Sequence, residues 1–276
     1  MDQLQKYFHE ASVLVIGVSN GFSRAEGLDL TKDETKHTDL RDYMHAYGFT
    51  KLVDAIIGPW PSIKEEWIFY SLLTKAYSLD YQETELMRSL KSLIGDKPYF
   101  IVSSAAESHF MQAGFQRKRI YDIAGNWLTM TNSVGEDLIL EDARAPLRRI
   151  VNAYCKGEEI DSLIPLDHNN HPMRIQTAGF ETMRIDPQEE QNYFNFVDDY
   201  HGKNMLILEL GANRNNVLIK RPLMKLAYHE PNAVYVTLND QDLWIAQRIR
   251  EKSFGYQGSL TKILGLYQFL CKTVLA

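Results

Sequence analysis

The sequence has very few cysteines and no excess of basic residues. Only Cys155 and Cys271 occur among 276 residues, too few for a disulfide framework or a four-cysteine zinc site, which fits a reducing, cytoplasmic compartment. The 30 Lys and Arg are outnumbered by 36 Asp and Glu. Because no basic field is available to hold a polyphosphate backbone, the charge balance argues against a general nucleic-acid binder. It is compatible with small anionic ligands held by backbone amides.

Long apolar runs are missing as well. No uninterrupted apolar stretch approaches the roughly 18 residues of a membrane span, so we expect no membrane partner. The N-terminal MDQLQKYFHEAS lacks the apolar core of a signal peptide. With 45% hydrophobic and 24% charged residues, the composition is that of an ordinary globular protein, long enough for one large domain with a small insert.

Short apolar runs alternate with long amphipathic segments along most of the chain. Strands buried on both faces are predicted at 13–16, 99–102, 120–123, 205–210 and 234–238, because these runs do not alternate strictly with polar residues. Helical patterns cover 63–77, 83–94, 187–200, 221–229 and 241–252. Strands that alternate with helices predict an α/β fold with a parallel, Rossmann-like sheet.

Residues 127–186 do not follow this alternation of strands and helices. Two hairpin patterns, LTMTNSVGEDLIL and PMRIQTAGFETMRID, flank a basic helix, ARAPLRRIVNAYCKG, which Gly157 closes. We therefore predict a small α+β module inserted into a Rossmann-like domain made of 1–126 and 187–276, with 31–95 as a helical segment of that domain. The residues expected to form the core of the module are Leu138, Leu140, Leu147, Ile150, Ile175 and Met183.

The first predicted strand runs into a glycine turn and then a helix, in SVLVIGVSNGFSRAEGL. Gly17 and Gly21 let backbone N–H groups approach a phosphate, the helix N-terminus adds partial positive charge, and Ser19, Asn20 and Ser23 add polar side chains. The spacing is not G-x-G-x-x-G, and no second strand ends in an acidic residue about 20 residues later, which argues against a dehydrogenase. A turn that only joins strand to helix is the alternative interpretation.

Two further loops carry polar residues just after predicted strands. LILELGANRNN and VYVTLND place them at Gly211, Ala212, Asn213, Arg214, Asn215, Asn239 and Asp240. Open α/β sheets bind ligands beyond the carboxyl ends of their strands, so three such loops indicate one nucleotide crevice. Asparagine-rich loops are also ordinary turns, because Asn tolerates left-handed backbone geometry.

These segments resemble a known family. The segments SNGFSRAEGL, FIVSSAAESHFMQAGF, RIYDIAGNW, LELGANRNN and VYVTLN follow the order and spacing of the sirtuins, the Sir2-type proteins that use NAD, over nearly the whole chain. The pattern RPLMKL resembles their macrodomain-linked bacterial branch, which transfers ADP-ribose to proteins. The resemblance implies NAD as cofactor, a protein substrate and a nucleotide pocket that includes Gly17, Ser19, Asn20, Gly21, Phe22, Ser23, Ser103, Ser104, Gly211, Ala212, Asn213, Asn215 and Asn239.

The same resemblance implies an altered catalytic centre. The family asparagine that activates the nicotinamide ribose falls on Ala105, and its catalytic histidine, a glutamine in the macrodomain-linked branch, falls on Ala124. Alanine provides no polar group to stabilise an oxocarbenium-like state. Glu107 keeps a carboxylate where the family has Asp and Asn126 lies nearby, so these two are the candidate catalytic residues. The alternative for Glu107 is to cap the following helix, with nearby His109 packed against that helix.

The inserted module lacks the family's zinc ligands. Sirtuins hold a structural zinc there with two Cys-x-x-Cys pairs, whereas this chain reads PLDHNNHPM and has Cys155 alone on the preceding helix. We interpret Asp167, His168 and His171 as turn residues and predict no metal. Two hypotheses follow. One is a divergent sirtuin-like enzyme, an ADP-ribosyltransferase, deacylase relative or NAD-cleaving protein; the other is a catalytically silent homologue that binds nucleotide or a partner.

Overall fold

The computed structural model describes residues 2–32, 35–132, 137–177 and 186–265. It confirms a mixed α/β fold with a parallel sheet. The strands within these ranges are, in chain order, β1 (Val13–Val18), β2 (Tyr99–Ser103), β3 (Ile120–Asp122), β4 (Gly125–Asn132), β5 (Leu140–Asp142), β6 (Met173–Thr177), β7 (Met205–Leu210), β8 (Ala233–Asn239) and β9 (Ser253–Gln257).

The large sheet has six strands in the order β3-β2-β1-β7-β8-β9, and all its neighbours pair in parallel. The chain moves from β1 outwards through β2 to β3, and later returns to build β7, β8 and β9 on the other side of β1. The strand order therefore reverses between β1 and β7. In open α/β sheets this reversal leaves a crevice at the carboxyl ends of the two strands.

The helices are α1 (Asp2–Glu10), α2 (Asn20–Ala25), α3 (Thr38–Ala46), α4 (Leu52–Ile57), α5 (Ile63–Tyr77), α6 (Glu85–Ile94), α7 (His109–Gln112), α8 (Arg144–Lys156), α9 (Pro187–Asp199) and α10 (Lys220–His229). Local chemistry sets several of their starts. Ser62 accepts from the Lys64 amide at α5, and Asp186 accepts from the Gln188 amide at α9. None of the helices in the described ranges is long and apolar enough to cross a membrane.

One predicted helix, 241–252, is wrong. Residues 241–246 are not helical, Gln247–Lys252 is a 3-10 helix, and the chain then forms the sixth parallel strand, β9, which the sequence did not predict. The Asn239 carboxamide accepts from the Gln241 amide, and the Asp242 carboxylate accepts from the Trp244 amide. The Asp242 side chain thus competes with the backbone for the Trp244 amide, which a helix over 241–252 would need.

Both faces of the large sheet are covered. One apolar cluster contains Leu14, Ile16, Leu206 and Leu208 with α1 and α6, and a second contains Val13, Val15 and Ile207 with residues of α9 and α10, such as Phe196 and Leu223. The strands are thus buried on both sides, as their continuous apolar runs predict.

The small sheet is antiparallel, in the order β5-β4-β6, and packs with α5 and α8 around a third core. The first predicted hairpin is confirmed by β4 and β5, whereas residues 178–185 of the second lie outside the described residues. Leu147, Ile150 and Ile175 are buried in this core, Leu138 and Leu140 are half-buried, and Met183 lies outside the described residues. The helical segment and the small module therefore share one apolar core.

Candidate functional site

The polar loops singled out in the sequence converge at the carboxyl edge of the large sheet. β1 leads into Ser19, β2 leads into Ser104, β7 leads into Gly211, and β8 ends at Asn239. Since β1 and β7 are neighbours in the sheet, the first and third of these loops lie on either side of the point where the strand order reverses. The fold thus brings four loop segments, distant in sequence, to one crevice.

Two glycines hold the first and third loops in direct backbone contact. The Gly21 amide donates to the Gly211 carbonyl at 3.0 Å. A Cβ on Gly21 would lie 2.5 Å from that carbonyl oxygen, and one on Gly211 would lie 2.5 Å from the Phe22 nitrogen. Gly211 also has φ of +69°, a conformation that side chains other than glycine disfavour. Any side chain at either position would separate the loops.

Asn216 joins three loops and was not among the predicted site residues. Its Nδ2 donates to the Ser19 hydroxyl at 2.6 Å and to the Ser104 hydroxyl at 3.2 Å, while its Oδ1 accepts from the Ile219 amide at 2.9 Å. One carboxamide therefore connects the loops after β1, β2 and β7 and helps to start α10. The run of asparagines in LELGANRNN was the sequence signal that pointed to it.

Other predicted pocket residues stabilise the conformation of the loops through contacts within the protein. Asn239 Nδ2 donates to the Ala212 carbonyl at 2.8 Å, and Ser103 Oγ accepts from the Ala105 amide at 3.0 Å. The Phe22 ring is fully buried beside Phe110. These three side chains shape the loops, so they would act on a ligand through the backbone that they position.

Gly17 occupies a different environment from the loop residues. It lies within β1, where a Cβ would be 2.1 Å from Leu223 Cδ1 of α10. The absent side chain thus lets α10 pack closely on the sheet. By contrast, the side chains of Asn20, Asn213 and Asn215 are exposed at the crevice, although the Asn213 Oδ1 accepts from the Asn215 amide at 2.9 Å.

The backbone amides at the start of the first loop are largely used within the protein. Ser19 N donates to the Leu210 carbonyl, Phe22 N donates to the Ser19 carbonyl, and Gly21 N is taken by Gly211 as described above. Fewer backbone amides are therefore free to bind a phosphate than the glycine pattern predicted. Hydroxyl and carboxamide groups provide most of the polar surface of the crevice.

The Glu107 carboxylate is buried against the first loop. It is 3% exposed, and its Oε1 accepts from the Ser23 hydroxyl at 2.6 Å. The capping alternative is wrong, because the carboxylate bonds to α2 instead of the amides that begin α7, where Ser108 is the capping residue. A buried carboxylate with a hydroxyl donor is thus fixed beside a loop of the crevice.

His109 is buried and lies close to Glu107. Its Nδ1 lies 2.7 Å from Glu26 Oε2 and 3.9 Å from Glu107 Oε1, and its Nε2 lies 2.6 Å from the Tyr77 carbonyl oxygen. Both ring nitrogens face oxygen acceptors, an arrangement that favours the protonated ring. Burial acts to lower the pKa of His109, but the hydrogen bond to Glu26 and the charges of Glu107 and Glu26 outweigh it and raise this pKa. His109, stacked on Tyr81 at 4.1 Å, is a satisfied core histidine.

Both polar atoms of the Asn126 carboxamide are hydrogen-bonded within the protein. Its Nδ2 donates to Asp122 Oδ2 at 2.7 Å, and its Oδ1 accepts from the Leu128 amide at 2.8 Å and from the Ser108 hydroxyl. Ser108 has φ of +67°, an uncommon value for serine. Asn126 thus holds the segment that carries Glu107, with little freedom to orient a water molecule.

Two buried carboxylates share one arginine next to Asn126. Arg117 Nη1 donates to Asp122 at 3.1 Å, its Nη2 pairs with Glu189, and Glu189 also accepts from the Asp122 amide at 2.8 Å. Burial, followed by the nearby Asp122 charge, raises the pKa of Glu189 to about 7. Burial also raises the pKa of Asp122, against the opposing effect of Arg117. This cluster joins β3 to α9.

The two alanines at the family's catalytic positions are buried, Ala105 at 4% exposure and Ala124 at 6%. Ala105 packs in the core formed with α1 and α6. Neither position presents a polar side chain to the crevice.

The segment PLDHNNHPM, which corresponds to the zinc-binding segment of sirtuins, forms a hydrogen-bonded turn. Asp167 Oδ1 accepts from the amides of Asn169 and His171, at 2.8 and 2.9 Å, which confirms the interpretation of these residues as turn residues. Within the described ranges, no three His, Cys, Asp or Glu residues form a group that could hold a metal. Cys155 is exposed, and Cys271 lies outside the described residues.

Beneath the third loop lies a fully buried ion pair. Lys220 Nζ contacts Glu209 Oε1 at 2.6 Å, and both side chains have no exposed surface. Glu209 also accepts from the hydroxyls of Tyr235 and Thr237, so its oxygens are well satisfied. The pair ties the first residue of α10 to the sheet and fixes the far end of the loop that begins at Gly211.

The fold and crevice define an open α/β protein that can bind a ligand at its topological switch point. Comparison with known proteins makes this more specific. Solved structures with the same fold include a variant Sir2 homologue in complex with ADP-ribose, with a TM-score of 0.68, 10% identity and coverage of 100% of this chain and 98% of that one. A Sir2 variant with a deacetylated p53 peptide and 3'-O-acetyl ADP-ribose has a TM-score of 0.54 at 13% identity, covering 96% of each chain.

Comparison of sequences finds a further relative. A protein of Staphylococcus aureus (strain Mu50 / ATCC 700699) named protein ADP-ribosyltransferase is 24% identical over 280 residues, covering 95% of this chain and 84% of that protein. No family model matches the sequence. The chain thus has the fold of the Sir2 structures, which the resemblance of its motifs implied.

Proposed function

We propose that this protein binds NAD or ADP-ribose in the crevice between β1 and β7. The observation that carries the proposal is the Asn216 carboxamide, which connects Ser19 with Ser104 and so joins loops after β1, β2 and β7 into one polar surface. The Sir2 homologue described above was solved with ADP-ribose, which supports the same ligand here.

The residues of the crevice suit a dinucleotide. Gly21 and Gly211 pack backbone to backbone, so the floor carries no side chain, and the hydroxyls and carboxamides around it are donors for phosphate and ribose oxygens. The residues with a free donor are Ser19, Asn20, Asn213 and Asn215. The donors of Ser23, Ser104 and Asn216 are used within the protein, so these three residues hold the loops in place, as do Ser103, Ala212, Phe22 and Asn239. Arg24, paired with Asp240 at 2.7 Å, adds a cation on α2.

We further propose ADP-ribosyl transfer to a protein as the reaction, following the name of the staphylococcal relative. When bound, NAD supplies the ADP-ribosyl group by cleavage of the bond between nicotinamide and ribose. Glu107, which accepts from the Ser23 hydroxyl and lies 3.9 Å from His109 Nδ1, would hold the nicotinamide amide or polarise a ribose hydroxyl. Asn126 acts as a positioning residue that holds Ser108 and Asp122.

A second candidate is a catalytically silent binder of nucleotide or of a partner protein. The apolar side chains of Ala105 and Ala124, both buried, favour it, because they replace the polar groups that would stabilise a charged transition state. The cytoplasmic location expected from the low cysteine content stays a prediction.

Nicotinamide release from NAD separates the two candidates. We expect slow release by the wild type, and a loss of at least about tenfold, equivalent to about 1.4 kcal/mol of transition-state stabilisation, in Glu107→Gln. The matched control is Glu141→Gln, which changes an exposed glutamate on β5. Binding of ADP-ribose without any release of nicotinamide identifies the silent binder, and release that survives Glu107→Gln contradicts the role given to Glu107.

A further inference from the structure

A second concave surface lies between α9 and α10, on the face of the sheet that these helices cover. We call it the α9–α10 groove. It has a volume of about 630 Å³, its floor includes Val102 and Tyr121, and its walls include Tyr193 and Phe194 of α9 and Leu226 of α10. Nothing in the nucleotide proposal uses it.

The walls of the groove are two facing helical stripes. On α9 the lining residues Glu190, Tyr193, Phe194 and Val197 are three or four positions apart, and on α10 the lining residues Pro222, Leu226 and His229 have the same spacing. Residues three and four apart lie on one face of a helix. Two such stripes with apolar centres provide a surface on which the apolar face of a third helix can pack.

Large apolar side chains at the groove are left in solvent. Phe194 is 52% exposed and Val217 is 50% exposed, and Tyr228, next to the lining residue Arg248, is 51% exposed. Leu218 adjoins them at 39%. Clustered exposure of this kind marks protein interaction sites, whereas single exposed apolar residues do not.

The charge at the groove is opposite to that of the whole chain. Arg221, Lys225 and Arg248 line it and are exposed, although the chain has a formal net charge of −6. No carboxylate of the described residues pairs with Arg221 or Lys225 within 4.0 Å. Of the two lining glutamates, Glu230 is 4% exposed and already paired with His201, so the accessible charge is mainly positive.

We propose that the α9–α10 groove binds an amphipathic helix of a partner protein, with an apolar stripe flanked by acidic residues. The apolar stripe would cover the exposed side chains around Phe194. The acidic flanks would meet Arg221, Lys225 and Arg248, whose charges steer an acidic partner towards the groove.

The test uses a synthetic, fluorescein-labelled peptide of about 18 residues, or five helical turns. It carries Leu at i, i+3, i+4 and i+7 with Glu on both flanks, and a second peptide has Lys in place of every Glu. Fluorescence anisotropy with the full chain, in the absence of nucleotide, should show saturable binding of the Glu peptide and much weaker binding of the Lys peptide. Because no nucleotide is present, the result is independent of the proposed NAD site.

Two variants locate the binding. Phe194→Glu should weaken binding of the Glu peptide at least tenfold, since loss of one central aromatic anchor has about that effect. Arg221→Glu should weaken the Glu peptide and strengthen the Lys peptide. Matched controls are Leu166→Glu, at an apolar residue 53% exposed on the small module, and Arg149→Glu, at an exposed arginine of α8; both should bind as the wild type does.

Three results would overturn the proposal. They are no saturable binding of the Glu peptide, equal affinity for the Lys peptide, or equal weakening by Phe194→Glu and Leu166→Glu. Sedimentation velocity covers a further alternative: a dimer of the wild type that Phe194→Glu dissociates would assign the groove to a second copy of this chain. Circular dichroism and the melting temperature of each variant confirm that it is folded.

Discussion

Substitution of Gly211 by alanine tests whether this glycine is needed only for its backbone conformation or also for the contact between the loops after β1 and β7. Gly211 has φ of +69° and Gly157 has φ of +70°, so alanine at either position adopts the same unfavourable backbone conformation, at a cost of about 1–2 kcal/mol. At Gly157 an added Cβ meets no atom within 4 Å, whereas at Gly211 it lies 2.5 Å from the Phe22 nitrogen. The backbone strain therefore cancels between the two variants, and only the contact between the loops differs.

We expect Gly157→Ala to lose about 1–2 kcal/mol of unfolding free energy and to bind ADP-ribose as the wild type does. Gly211→Ala should lose more than that, because the loops after β1 and β7 must move apart, and its affinity for ADP-ribose should fall at least tenfold. Urea unfolding gives the stability of each variant and titration calorimetry gives its affinity. Equal stability losses with unchanged affinity in both variants would refute the interpretation of Gly211 as part of a ligand crevice.

Two further predictions concern buried charges. Lys220→Met leaves Glu209 without its cation in a fully buried site, so urea unfolding should show a loss of about 3–5 kcal/mol; a loss below about 1 kcal/mol would show that the pair contributes little. Because the pKa of Glu189 is raised from 4.5 to about 7, its contribution to stability is full below 4.5 and is lost as pH rises through about 7, by at most about 3 kcal/mol. Glu189→Gln should therefore reduce the fall in unfolding free energy between pH 5 and 8. The raised pKa of His109 lowers the stability over the same range in the wild type and in the variant, so it does not affect their difference. An unchanged pH profile would contradict the raised pKa of Glu189.

The parallel sheet was predictable because its strands are continuous apolar runs, a pattern that only burial on both faces explains. The segment that follows β8 was less predictable. Residues 241–252 have helical periodicity, but the Asp242 carboxylate accepts from the Trp244 amide, which such a helix would need, and β9 is stabilised by pairing with β8. Periodicity alone contains no information about those tertiary partners.

The candidate site was predictable where its residues are consecutive. The composition of the glycine turn and of the asparagine loop was enough to predict both. The contact between Gly21 and Gly211 was not predictable in this way, because it depends on the adjacency of β1 and β7. The same holds for the hydrogen bonds that Asn216 makes between the loops. The buried partners of Glu107 were harder to foresee, because His109 and Ser23 reach it from separate helices. Long-range polar contacts of this kind have no sequence periodicity to reveal them.

Titration calorimetry of the full chain with ADP-ribose tests the central claim most directly. The wild type should bind one ADP-ribose per chain, and Gly21→Val, whose Cβ would lie 2.5 Å from the Gly211 carbonyl oxygen, should show no binding. Gly265→Ala, at a glycine where an added Cβ meets no atom within 4 Å, is the control and should bind normally. Absence of binding by the wild type at millimolar ADP-ribose and at millimolar NAD would contradict the assignment of the crevice as a nucleotide site.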